Sequence, residues 1–214
     1  MKVKILETRD AYRGYFHLQQ VRLRYERFDG AMSRDVVLEA IRRADAVAVL
    51  LYDPLADVVA MVSQFRLGPY LNETRGWGLE VVAGLMDAAD PDPAAAAHRE
   101  TREETGIDII SLHAITRYYL APNSSTEAIH LFAGLFNSRV PPVGGGGLDH
   151  ENEDIRLLLL PYAVVEERFQ AGKINNATSV IAIQWLQMHR ERLRQQGASL
   201  GMAVAPNLDG DKIL

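Results

Sequence analysis

The segment 15–26 ends in an alternation of apolar and polar residues, with Val21, Leu23 and Tyr25 on one side and Arg22, Arg24 and Glu26 on the other. This period of two predicts a strand with one covered face. Asp29-Gly30 is a hairpin pair, and residues 34–41 supply a returning strand. Such a ribbon cannot bury both faces alone, so residues 1–44 are expected to form an antiparallel β extension that leans on something else. From Ala46 the pattern changes to short, continuous apolar runs, 46–52 and 58–62, parted by Asp53-Pro54-Leu55-Ala56-Asp57. Runs of that kind suit strands covered on both faces. Further strands are expected over 112–120, 127–136 and 155–160.

Helix signals are sharpest over 91–106. Asp92 can cap the amino end, Pro93 suits the first helical position, four alanines follow, and Gly106 suits the left-handed position after the last turn. Two more helices are predicted over 162–171 and 177–196, the second burying Ile181, Ala182, Trp185, Leu186 and Leu193. Gly144 to Gly147 read as a flexible tether for the acidic segment that follows, since no Walker-type helix start comes after them. Residues 45–196 thus form one α/β domain, with 197–214 as a tail.

Composition narrows the possibilities. Of 214 residues 48% are apolar, enough to build a core, and 23 Lys+Arg against 28 Asp+Glu leave a formal charge of −5. That balance argues against nucleic-acid or anionic-membrane partners held by a basic face. There is no cysteine, which removes disulfides, thiolate zinc sites and cysteine nucleophiles, and fits a reducing cytoplasmic setting. The longest apolar stretch, 157–165, is half a membrane span, and the first seven residues do not read as a signal peptide.

Chemistry concentrates in His98-Arg99-Glu100-Thr101-Arg102-Glu103-Glu104-Thr105-Gly106. Glu100 and Glu104 stand i, i+4 and Glu103 is i+3 from Glu100, so three carboxylates crowd one helix face. Arg99 can offset Glu103, which leaves Glu100 and Glu104 converging with nothing between them except a hard cation. Oxygen ligands favour Mg²⁺ or Mn²⁺ over zinc. The plain alternative is a solvated, salt-bridged helix face. The six histidines show no metal-ligand spacing, and Ser124-Ser125 lacks a nucleophile elbow.

The surroundings favour chemistry. Gly84-Leu85-Met86-Asp87-Ala88-Ala89-Asp90 and then Arg-Glu-x-x-Glu-Glu-x-Gly-aliphatic from Arg99 to Ile107 resemble the Nudix box, G-x5-E-x7-R-E-U-x-E-E-x-G-U. The match is imperfect. Asp90 stands where the first Glu is expected, the next spacer holds eight residues instead of seven, and Thr101 takes a position usually aliphatic. The resemblance covers about residues 3–193 and narrows to the ADP-ribose pyrophosphatases. Tyr12-Arg13-Gly14-Tyr15-Phe16, Gln64-Phe65-Arg66, Leu79-Glu80-Val81-Val82-Ala83-Gly84, Glu151-Asn152-Glu153-Asp154 and the segment Gly172-Lys173-Ile174-Asn175-Asn176-Ala177-Thr178-Ser179 carry it.

The resemblance implies an α/β/α sandwich with a mixed sheet, an extension packed across a homodimer, and Mg²⁺-dependent hydrolysis of ADP-ribose to AMP and ribose 5-phosphate. It makes Glu100, Glu104, Glu153 and the carbonyl of Ala83 metal ligands, with Glu103 in support, and puts Glu151 where a loop general base is expected. Arg66 would hold a phosphate, Tyr15 would stack on the base, and Glu127 would approach the terminal ribose. Two alternatives remain open: another nucleotide sugar such as GDP-mannose, whose hydrolases look similar around Gln64-Phe65-Arg66, and a non-catalytic ADP-ribose sensor. The retained carboxylates weigh against the sensor.

Overall fold

The computed structural model describes residues 1–199. Three strands, β1 (Val3–Arg13), β2 (His17–Tyr25) and β3 (Val36–Arg42), form an antiparallel sheet in the order β1-β2-β3. The turn between the last two closes at Gly30 with φ of 81°, where Asp29 accepts a hydrogen bond from the Ala31 N–H. Val37 and Leu38 remain about half exposed on β3, as do Ile5 and Tyr12 on β1.

A seven-stranded mixed sheet follows. Its members are β4 (Ala46–Asp53), β5 (Val58–Phe65), β6 (Trp77–Glu80), β7 (Val82–Leu85), β8 (Ser111–Tyr119), β9 (Ala128–Leu135) and β10 (Arg156–Pro161). The order is β10-β5-β4-β9-β8, with β6 on β5 and β7 on β4. Every residue of β4 is buried, as its unbroken apolar run requires. The helices are α1 (Leu67–Glu73), α2 (Pro93–Thr105), α3 (Tyr162–Gln170) and α4 (Ala177–Ser199). Val47, Val49, Leu51, Val62, Val82, Ala96, Ala97 and Phe136 make the core between sheet and α2. No helix among the described residues is long and apolar enough to cross a membrane.

The chain divides into two compact units. One holds Met1–Ala46 with Arg117–Ile129, the other Val47–Thr116 with His130 onward. In the second, the β4–β5 turn is locked to α4: Arg190 donates to both oxygens of Asp57, which also accepts from the buried Tyr52 hydroxyl. Gly197 fits against Pro54 where a side chain would clash.

Several expectations need correction. α4 runs through Ser199, so the expected tail begins inside a helix, and residues 200–214 lie outside the described part. Trp185 is half-buried and stacks on His189 at 4.2 Å, at the rim and not in the core. The run Gly144–Gly147 is hydrogen-bonded into the fold, as described below.

Candidate active site

The ends of α2 form as local chemistry dictates. Asp92 accepts from the Ala95 N–H at 2.8 Å, Pro93 starts the helix, and Gly106 ends it with φ of 68°. Arg99 then organises the acidic face. Its guanidinium donates to Glu100 at 2.8 Å, to Glu103 at 2.9 Å, to Asp90 at 2.8 and 3.1 Å, and to the Leu85 carbonyl at 3.0 Å. The Asp90 carboxylate in turn is held below its usual range by those Arg99 hydrogen bonds.

Glu104 differs from its neighbours. It is 1% exposed, and neither carboxylate oxygen has a hydrogen-bond partner, although the Ala83 backbone lies near enough to favour its charge. Burial pushes its carboxyl well up, with Glu100 and Glu153 adding repulsion. Burial also raises Glu100 to about 7 against the pull of Arg99. Its carboxylate lies over Gly84, where any side chain would overlap it. A buried carboxylate without a hydrogen-bond partner is costly, so Glu104 calls for a positive charge.

The strand beside them has an unusual path. β6 pairs with β5 from Phe65↔Trp77 to Val62↔Glu80, while β7 pairs with β4. β4 and β5 pair with each other only from Leu51↔Ala60 to Asp53↔Val58, and beyond that point residues 77–85 fill the gap, changing partner at Val81. Glu80, at the end of β6, accepts from Arg66 Nε at 3.0 Å and Nη2 at 2.8 Å. Burial opposes the Arg66 charge, but Glu80 outweighs it and the guanidinium stays firmly protonated, with Glu104 and Glu153 also acting on it. Arg66, Glu80, Ala83, Glu100, Glu104 and Glu153 are thus brought to one region.

The glycine run closes over the carboxyl end of α2. The N–H groups of Val143, Gly146 and Gly147 donate to the carbonyls of Gly106, Glu104 and Glu103 at 3.0, 2.9 and 3.1 Å. All four glycines have positive φ, and a side chain at Gly145 would strike the Thr105 backbone, so the geometry needs glycine. The Ile155 N–H donates to the Gly146 carbonyl at 3.0 Å and closes the mouth of the acidic loop. Inside it Glu153 accepts from the Leu148 N–H at 3.2 Å. Glu151, on the short turn Asp149–Glu151, is 57% exposed beside His150.

Tyr15 and Glu127 belong to the other unit. Tyr15 meets Phe16 edge-on at 4.9 Å, and Arg43 lies over both rings at 5.6 and 5.4 Å. Arg43 also reaches Glu127 at 3.7 Å, and its backbone exchanges hydrogen bonds with the Thr126 hydroxyl. Arg43 therefore joins the two expected substrate residues, although the sequence alone did not single it out.

The sequence profile of the NUDIX domain family matches residues 42–186. The chain belongs to this family. Its Nudix box is the segment just described, and family members generally use divalent metal ions. An ADP-ribose pyrophosphatase of Escherichia coli K12 is 33% identical over 92% of this chain and 93% of its own length. One from Haemophilus influenzae is 35% identical over 90% and 89%. A GDP-mannose pyrophosphatase of Cronobacter sakazakii is 30% identical over 88% and 96%. A crystal structure titled as an ADP compounds hydrolase superposes with a TM-score of 0.66 at 22% identity, covering 88% of this chain and 96% of that one, so the mixed α/β Nudix fold is shared. The departures from the Nudix box are absorbed locally. Asp90 still reaches Arg99 through two hydrogen bonds, while the Thr101 hydroxyl is buried without a partner.

Among the described residues no three acidic or imidazole side chains stand close enough to share a cation. The donor set nonetheless fits a hard divalent ion: all-oxygen, acidic, partly buried, and with two oxygens of Glu104 unsatisfied.

Proposed function

We propose that this Nudix protein is a cytoplasmic, Mg²⁺-dependent pyrophosphohydrolase that cleaves ADP-ribose to AMP and ribose 5-phosphate, with Mn²⁺ able to replace Mg²⁺. The observation that carries the reading is the buried, unpartnered Glu104 beside the desolvated Glu100, a pair that a hard cation would satisfy. Glu100, Glu104, Glu153 and the Ala83 carbonyl would hold the metal, with Glu103 in support through Arg99. When bound, divalent metal neutralises the pyrophosphate and acidifies water.

The remaining work belongs to the chain. Glu80 occupies Nε and Nη2 of Arg66, which presents Nη1 to a phosphate oxygen. Glu151 sits exposed on a loop with anchored ends, and closes to take the proton of the attacking water. Tyr15 stacks on the adenine and Glu127 meets the terminal ribose, with Arg43 fixing both. Residues 1–44 pair with a second copy of the chain, which would cover Ile5, Val37 and Leu38, now exposed. The names of the curated relatives support ADP-ribose first and GDP-mannose second.

Purified protein incubated with Mg²⁺ and a panel of nucleotide sugars, with products identified by chromatography, tests the assignment. ADP-ribose is expected to give the highest kcat/KM with AMP as a product. A clear preference for GDP-mannose would replace the substrate and keep the chemistry.

A further inference from the structure

The changeover at Val81 leaves a problem of backbone chemistry. Val81 is 2% exposed and lies between two strand pairings, so its N–H needs a partner from elsewhere. It donates to the hydroxyl of Ser179 at 3.0 Å, in a contact spanning 98 positions. Ser179 is fully buried on the same face of α4 as Ala182, Ile183 and Leu186. A hydroxyl on that apolar face is costly unless it is used, and it is used here.

One turn earlier, Asn176 faces both ways. Its Oδ1 accepts from the Ser179 N–H at 2.9 Å, which caps α4, and its Nδ2 donates to the Leu79 carbonyl at 3.3 Å. The first role can be filled by Asp or Ser; the second needs a donor with the reach of the Asn amide, which Asp lacks and the shorter Ser hydroxyl does not extend to. The two residues together grip Leu79 and Val81, which flank Glu80. Glu80 holds Arg66 on one side, and Ala83 and Gly84 face Glu104 and Glu100 on the other.

The geometry points to Asn176 and Ser179 as positioning residues: the start of α4 clamps the strand changeover, and so sets Arg66 and the Ala83–Gly84 backbone against the acidic face of α2. The inference rests on the proposed site. It also gives a physical role to the segment from Gly172 to Ser179, which carries much of the sequence resemblance.

The test uses the full-length protein with Asn176→Asp, Asn176→Ser and Ser179→Ala. Deuterium uptake is followed in the peptide covering residues 77–85, Mn²⁺ binding by calorimetry, helix content by circular dichroism, and kcat and KM on ADP-ribose. Both Asn176 variants keep a helix cap and lose the donor to Leu79. They are expected to keep wild-type helix content, to exchange the 77–85 amides about tenfold faster, to bind Mn²⁺ at least threefold more weakly and to lose at least fivefold in kcat. Ser179→Ala should do the same. Unchanged exchange in all three variants overturns the clamp. Faster exchange with wild-type Mn²⁺ affinity and kcat reduces it to a structural contact and overturns the positioning role. A wild-type chain that binds Mn²⁺ but leaves ADP-ribose intact overturns the substrate reading alone, because exchange and Mn²⁺ binding need no substrate.

Discussion

Removing the charge of Glu100 should stabilise the protein while destroying its site. This carboxyl is 13% exposed and is raised from 4.5 to about 7, chiefly by burial, with Arg99 opposing and Glu103 and Glu153 adding to the effect. The folded form therefore holds its proton more tightly than the unfolded form. Stability falls as pH rises from about 4.5 to about 7 and is level above that, because the unfolded chain releases the proton first. The full shift corresponds to about 3 kcal/mol above pH 7. Partial exposure and local relaxation reduce this to about 1–3 kcal/mol. Glu100→Gln removes the penalty and still offers an oxygen to Arg99. In a chelator at pH 8, melting temperature should rise by about 3–10 °C for a domain of this size, whereas at pH 4.5 wild type and variant should melt nearly together. Added Mg²⁺ should reverse the order at pH 8, by stabilising only the wild type. Differential scanning fluorimetry across the pH range measures all three. A variant that melts at or below wild type at pH 8 in chelator, or that gains equally at pH 4.5, would refute the view that Glu100 is held charged at a cost.

Glu151→Gln should lower kcat by about a hundredfold with little change in KM, the usual effect of losing a general base; a loss under about fivefold in steady-state assays would move the base elsewhere, with Glu80 the next candidate. Thr101→Val should raise stability by about 1 kcal/mol in urea unfolding, since it replaces a buried hydroxyl without a partner by a methyl of similar shape; destabilisation would show that the hydroxyl is satisfied after all.

What could be read from the sequence was local. Asp92, Pro93 and Gly106 each act within one turn, so the limits of α2 were predicted to within two residues. The pairing of Arg99 with Glu103 follows from helix spacing in the same way. The path of residues 77–85 was not legible, because the choice of β5 or β4 as partner is made by distant strands, and no residue there announces a change at Val81. α1 is not announced in the sequence because it has no side-chain cap and no buried residue. Four successive glycines read as slack from the sequence alone; in the fold all four take positive φ, and the helix end leaves no room for a side chain at Gly145. The identity of Glu80 as the partner of Arg66 depends on the β5–β6 register, which spacing does not reveal.

The hydrogen bond from Ile155 to Gly146 separates two kinds of evolutionary freedom. Residues 147–154 hang from a closed neck whose two sides are fixed by backbone atoms, and backbone atoms are common to all side chains. Beyond Gly147, whose own N–H holds the helix end, the residues of this loop other than Glu151 and Glu153 can therefore vary without disturbing the helix that the neck caps. A fold built this way can change how its two loop carboxylates are presented while the helix and strands beneath them stay the same.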